Sequence, residues 1–190
     1  MQTLYNGLPI FSVIIDDDTI FNNISVVTAP AVERNFITLS KDVEIKFKVD
    51  NEKRTISGPI LIADKPIYRR DEDGKEYYIK FDAETIKKYA EKFFRDGRQN
   101  EGNVEHQFSV RGITFYESYI INKERGICPK EFEDLPNGSW VASAYVDNDD
   151  VWQLVADGTL RGFSVDIYAK VKEEKAELST LNDLLEYINK

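Results

Sequence analysis

Short runs of β-branched and aromatic residues, each closed by Asp, Asn or Gly, recur along most of this 190-residue chain. Such punctuation favours many short strands over long helices. Val13-Ile14-Ile15 and Ile24-Ser25-Val26-Val27 are bounded by Asp and Asn clusters, and Val43 to Val49 alternates apolar and charged residues. A period of two marks a strand with one wet face. With the turn signal Asp50-Asn51-Glu52, the strand-like stretch Thr55 to Ala63 predicts a hairpin. Tyr77 to Phe81, Val104 to Val110, Ile113 to Ile121, Trp140 to Val146 and Leu160 to Val171 read as further strands. The segment from Asn122 to Gly138, rich in charge, Pro and Gly, reads as a loop.

Helical spacing enters at three places. Asp82 is a good N-cap, and Ile86, Tyr89, Ala90, Phe93 and Phe94 form an apolar stripe that Gly97 closes. A shorter helix is expected over Asp149 to Ala156, ended by Gly158. Leu181, Leu184, Leu185 and Ile188 predict a C-terminal helix over 178–190, one that packs on its own domain, mediates dimers or leads into a scaffold segment. The expected fold class is α+β, mainly β, in one domain spanning 1–190. Its antiparallel sheet or partly closed β-barrel is flanked by two or three helices.

Charge and composition remove several functions. A formal net charge of −9 gives the chain no counterion-release advantage on duplex nucleic acid, so no nucleic-acid partner is expected. One cysteine, Cys128, forbids an internal disulfide and fits a reducing compartment. No apolar run approaches the roughly 18 residues that span a bilayer, and no basic segment precedes Leu8 to Ile15, so a cytosolic protein without a membrane partner is expected.

The single histidine, His106, must serve any Ser-His or Cys-His chemistry. Imidazole is the usual general base because its unperturbed pKa lies near ~6.5. Read as a strand, Val104, His106 and Phe108 share one face; the bland reading of His106 is a structural histidine on a sheet. Ser164, in Gly162-Phe163-Ser164-Val165, is the candidate nucleophile, with a glycine nearby that lets substrate backbone approach. Its bland reading is a small polar residue on a core strand. Asp166 stands where a G-x-S-x-G elbow has its second glycine, so no such elbow exists. Cys128 is the rival nucleophile, but thiolate chemistry needs an activating neighbourhood that nothing in the sequence suggests. The clusters Asp16 to Asp18 and Asp147 to Asp150 lack EF-hand spacing and read as turns and helix starts, and no phosphate or dinucleotide loop is present. No cofactor and no metal are expected. A carboxylate-based metal hydrolase around Asp147 to Asp150 is a distant alternative.

Four segments in order carry a family likeness: Ile24 to Phe36 with Thr28-Ala29-Pro30-Ala31, Gly58 to Arg70, Asn103-Val104-Glu105-His106, and Asp157 to Ser164. Together they resemble the XkdF-like phage serine proteases, a branch of the prohead protease group that is similar in fold to herpesvirus assemblins. The resemblance runs from about Ile24 to Val171 and implies His106 and Ser164 as the catalytic pair. It implies a prohead maturation endopeptidase, in the host cytoplasm and the interior of the immature capsid. Its substrates would be scaffold, capsid-protein extensions and the protease itself, with self-association possible. In the commoner members a segment E-[IV]-S-[LV]-V-x-x-P-A follows the serine; the matching Ile24 to Ala31 precedes it here, as a circular permutation would leave it. The acid of that segment falls at Asn23, so the third member is either Asn23 or Asp166, two residues beyond Ser164. A non-acidic Asn23 also keeps open a catalytically inactive capsid-assembly or scaffold-binding module.

Overall fold

The computed structural model describes residues 3–15, 20–30, 48–50, 53–71, 73–168 and 170–173. In chain order these form β1 (Leu4–Tyr5), β2 (Leu8–Ile14), β3 (Ile20–Val27), β4 (Lys48–Asp50), β5 (Thr55–Leu61), β6 (Ile67–Arg70), β7 (Glu76–Lys80) and helix α1 (Ala83–Arg95). Then follow β8 (Asn103–Val104), β9 (Phe108–Ser109), β10 (Ile113–Ile120), β11 (Trp140–Val146), helix α2 (Asp149–Ala156), β12 (Gly162–Tyr168) and β13 (Lys170–Glu173).

The strands make three sheets. One orders β1-β2-β7-β6, with β13 also on β2; a second orders β10-β11-β5-β4; the third orders β12-β3-β8-β9. The α+β, mostly-sheet expectation holds, but two details differ. The sheets do not close into a barrel among the described residues, because each path ends on strands with a single neighbour, and β8 and β9 hold only two residues each. The pairing is also mixed: β2 runs parallel to β7 and β3 parallel to β8. Parallel neighbours need long connections. The one between β3 and β8 carries β4 to β7 and α1.

Helix α1 arises as its sequence dictates. The Asp82 carboxylate accepts the Thr85 N–H at 2.7 Å, a capping bond worth about 1 kcal/mol. Ile86, Tyr89, Ala90 and Phe93 are buried, whereas Phe94, on the flank of the stripe, is 40% exposed. The buried stripe lands on β11 and β10: the Phe93 ring meets Trp140 and Phe115 edge-on, each at 5.6 Å. Phe115 in turn packs on Phe163 of β12 at 5.4 Å. Each such side chain, fully buried, stabilises the fold by about 1.5–3 kcal/mol, so the core itself anchors the residue preceding Ser164. In α2 the Asn148 carbonyl accepts the Val151 N–H at 3.0 Å. The expected strand Val43 to Val49 is described only from Lys48 onward, and the C-terminal helix over 178–190 lies outside the described residues.

Candidate active site

Strand β3 is the middle of the site. Ser25 sits opposite Ser164 on β12 and opposite Asn103 on β8, and Asn103 sits opposite Ser109 on β9. Directly paired residues share a sheet face, so Ser164, Ser25 and Asn103 form a polar row across the sheet. One residue along, Phe163, Val26 and Val104 form the next row, on the opposite face. They are 2%, 0% and 9% exposed. The dipeptides Phe163-Ser164, Ser25-Val26 and Asn103-Val104 thus divide their side chains between the core and the polar row.

The imidazole reaches that row through a turn. The sequence predicted a continuous strand from Val104 to Val110; instead the chain reverses at Glu105 and His106. The Gln107 N–H donates to the Val104 carbonyl at 3.2 Å, and Glu105 and His106 have φ of 54° and 55°. Two left-handed residues in succession are the signature of a type I′ hairpin turn, which normally holds Asn-Gly. For Glu and His each such φ costs on the order of 1–3 kcal/mol and persists only where neighbours enforce it. The enforcement is visible. The Glu105 N–H donates to the Val26 carbonyl at 3.1 Å, and the Glu105 carboxylate accepts the Thr28 N–H at 2.5 Å. His106 therefore does not share a strand face with Val104 and Phe108; it lies at the tip of the hairpin, folded over the polar row.

There the ring bridges two hydroxyls. His106 Nε2 is 2.9 Å from Ser164 Oγ, and Nδ1 is 2.8 Å from Ser25 Oγ. Ser25 Oγ also donates to Asn103 Oδ1. Ser25 is fully buried, Asn103 is 8% exposed, Ser164 is half-buried and His106 is exposed. The chain of contacts runs from an accessible hydroxyl to a shielded interior anchor. Gly162 shares the face of Ser164, and a Cβ there would stand 2.4 Å from Pro30. Pro30 thus covers the sheet face beside the serine, and only glycine leaves room for it.

Of the residues singled out from sequence, the fold brings Ser164 and His106 together. The group at Nδ1 is Ser25, two positions along β3 from Asn23, which is half-buried. Asp166 falls at a register shift of β12 between Val165 and Ile167, where the simple alternation with Ser164 breaks, and its side chain lies outside the described residues. Ser25, Asn103 and Glu105 were not singled out. The available signal was polar residues alternating with Val in strands otherwise built for the core. Cys128 packs against a small cluster of Ile121, Phe132, Leu135 and Val141, its thiol 3.7 Å from the Phe132 carbonyl. Asp149 pairs with Arg54 at 2.8 Å, and no group of three or more metal-ligating side chains is found among the described residues.

A hydroxyl on one imidazole nitrogen, with a hydrogen-bonded orienting group on the other, is the arrangement serine hydrolases use. The class fits a comparison of sequences: residues 42–173 match the family described as "Putative phage serine protease XkdF", and the chain belongs to that family. No curated protein and no solved structure matches it. No helix among the described residues is long and apolar enough to cross a membrane.

Proposed function

We propose that this chain is a prohead maturation serine endopeptidase in which Ser164 is the nucleophile and His106 its general base. The observation that carries this reading is the 2.9 Å contact between Ser164 Oγ and His106 Nε2. Ser164 attacks the scissile carbonyl while Nε2 takes its proton; the imidazolium then returns that proton to the leaving amine. A water molecule, deprotonated by the same nitrogen, releases the acyl group. Protonation of the ring in acid removes the acceptor and stops the first step. Ser25 and Asn103 orient the ring rather than supply negative charge.

The substrates in this reading are scaffold, extensions of the major capsid protein and the protease itself, cut in the immature capsid within the host cytoplasm. The order of Ser25, His106 and Ser164 along the chain is read as a circular permutation of the commoner prohead proteases. Covalent labelling with a fluorophosphonate tests the chemistry: wild type labels, and Ser164→Ala and His106→Ala do not. Labelling that survives Ser164→Ala removes this nucleophile. The neutral Ser25–Asn103 arm favours one second reading, a capsid-assembly or scaffold-binding module without activity, and failure of folded wild type to label would select it.

A further inference from the structure

We infer that Asn103 is a positioning residue whose side-chain oxygen sets the tautomer of His106 through Ser25, an inference that rests on the peptidase reading above. The argument counts protons. A carboxamide oxygen only accepts hydrogen bonds, so the contact between Asn103 Oδ1 and Ser25 Oγ uses the one proton of the Ser25 hydroxyl. Ser25 then has only lone pairs for its other neighbour, His106 Nδ1 at 2.8 Å, and that bond forms only if Nδ1 carries hydrogen. A neutral imidazole carries one N–H. Its presence on Nδ1 leaves Nε2 bare, facing Ser164 Oγ at 2.9 Å, the state a general base requires.

Burial keeps this chain of consequences intact. Ser25 is 0% exposed and Asn103 is 8% exposed, so the hydroxyl has little access to water as an alternative acceptor. An amide turned the other way would present N–H to Ser25. Ser25 would then donate to Nδ1, the ring proton would move to Nε2, and Ser164 would lose its base. A single amide orientation thus separates a working site from an idle one.

The lone histidine makes the test direct. Two-bond 1H–15N correlation spectra of uniformly 15N-labelled protein, at a pH where the ring is neutral, report which nitrogen is protonated. Wild type is expected to show hydrogen on Nδ1. Asn103→Leu, similar in size but without an acceptor, is expected to shift the proton to Nε2 and to slow fluorophosphonate labelling at least tenfold. Asn103→Asp keeps an acceptor and is expected to retain the Nδ1–H form and most of the labelling. Hydrogen on Nε2 in wild type, or an unchanged tautomer in folded Asn103→Leu, overturns the inference. A tautomer that shifts as expected in a protein that never labels keeps the inference and sinks the peptidase reading.

Discussion

Two serine rows cross two different sheets of this molecule, and only one of them carries an imidazole. In the first, Ser164, Ser25 and Asn103 are paired across β12, β3 and β8. In the second, Ser57, Ser143 and Glu117 are paired across β5, β11 and β10. Ser57 donates to Ser143 at 2.8 Å, and Ser143 donates to the Glu117 carboxylate at 2.5 Å. The second row has an obvious base, yet Ser143 is 1% exposed, so no substrate carbonyl can approach it. Its hydroxyls satisfy one another and cement the sheet. Each row has one half-buried serine, Ser164 in the first and Ser57 in the second, but they differ in what that serine meets: Ser57 donates to the buried Ser143, whereas the turn at Glu105 and His106 lays a ring against Ser164. Serines in register with polar neighbours therefore do not suffice for a nucleophile; the proposed one also has a base, brought to a half-buried hydroxyl by the folded-back turn.

The widest separation between the rows is expected in covalent labelling. Ser164→Ala should lower the rate of fluorophosphonate labelling by about 10^4-fold or more, as loss of a nucleophile does in a triad. Ser143→Ala should leave it within about twofold. Labelling at Ser143 in wild type, read by peptide mass spectrometry, would collapse the distinction.

Next in size is the clamp on the turn. Glu105→Ala removes the acceptor of the Thr28 N–H while leaving two left-handed residues to be enforced by the remaining contacts. The labelling rate should drop about tenfold. Glu105→Gln retains a carbonyl oxygen and should recover most of it. Equal losses in the two variants would mean that the charge of Glu105, rather than its hold on Thr28, matters. A smaller effect is expected at Gly162→Ala, where the new methyl group meets Pro30. Overpacking of this kind costs about 1–3 kcal/mol, measured by denaturant unfolding. The labelling rate should fall as well, because the displaced strand carries Ser164.

These effects fall where sequence reading was least able to look. Helix α1 was legible because a cap and an apolar stripe are local signals, and β10, β11 and β12 were legible from their apolar runs. Ser164 and His106 were legible as residue types, since one histidine leaves no choice of base. The row that joins them was not. Register across strands from residues 25, 103 and 164 is set by tertiary packing, and no local pattern encodes it. The turn was missed for a different reason. Its signal is normally Asn-Gly, and Glu-His reads as strand continuation until Val26 and Thr28 supply the partners that hold its strained backbone. The expectation of a partly closed barrel is not met among the described residues, since strand count does not reveal which strands are two residues long.

The smallest test concerns the second row alone. Burial, with added repulsion from Glu117, Glu131 and Cys128, pushes the Tyr119 phenol up to about 12. A phenol held protonated above the ordinary value near ~10 means that the folded state binds more protons than the unfolded one over that interval. Its contribution is complete below about pH 10 and is lost as pH rises toward about 12. Absorbance of tyrosinate should therefore show a late-titrating phenol that Tyr119→Phe removes, beside that of Tyr68, which its hydrogen bond to Glu76 also raises. In Glu117→Gln the Tyr119 phenol should titrate earlier, though still above the ordinary value, because burial is the larger cause. The Ser143 hydroxyl keeps an acceptor in that variant, the amide oxygen, so labelling of Ser164 should not change. A change at Ser164 would show that the two rows, on separate sheets, are coupled through the core between them.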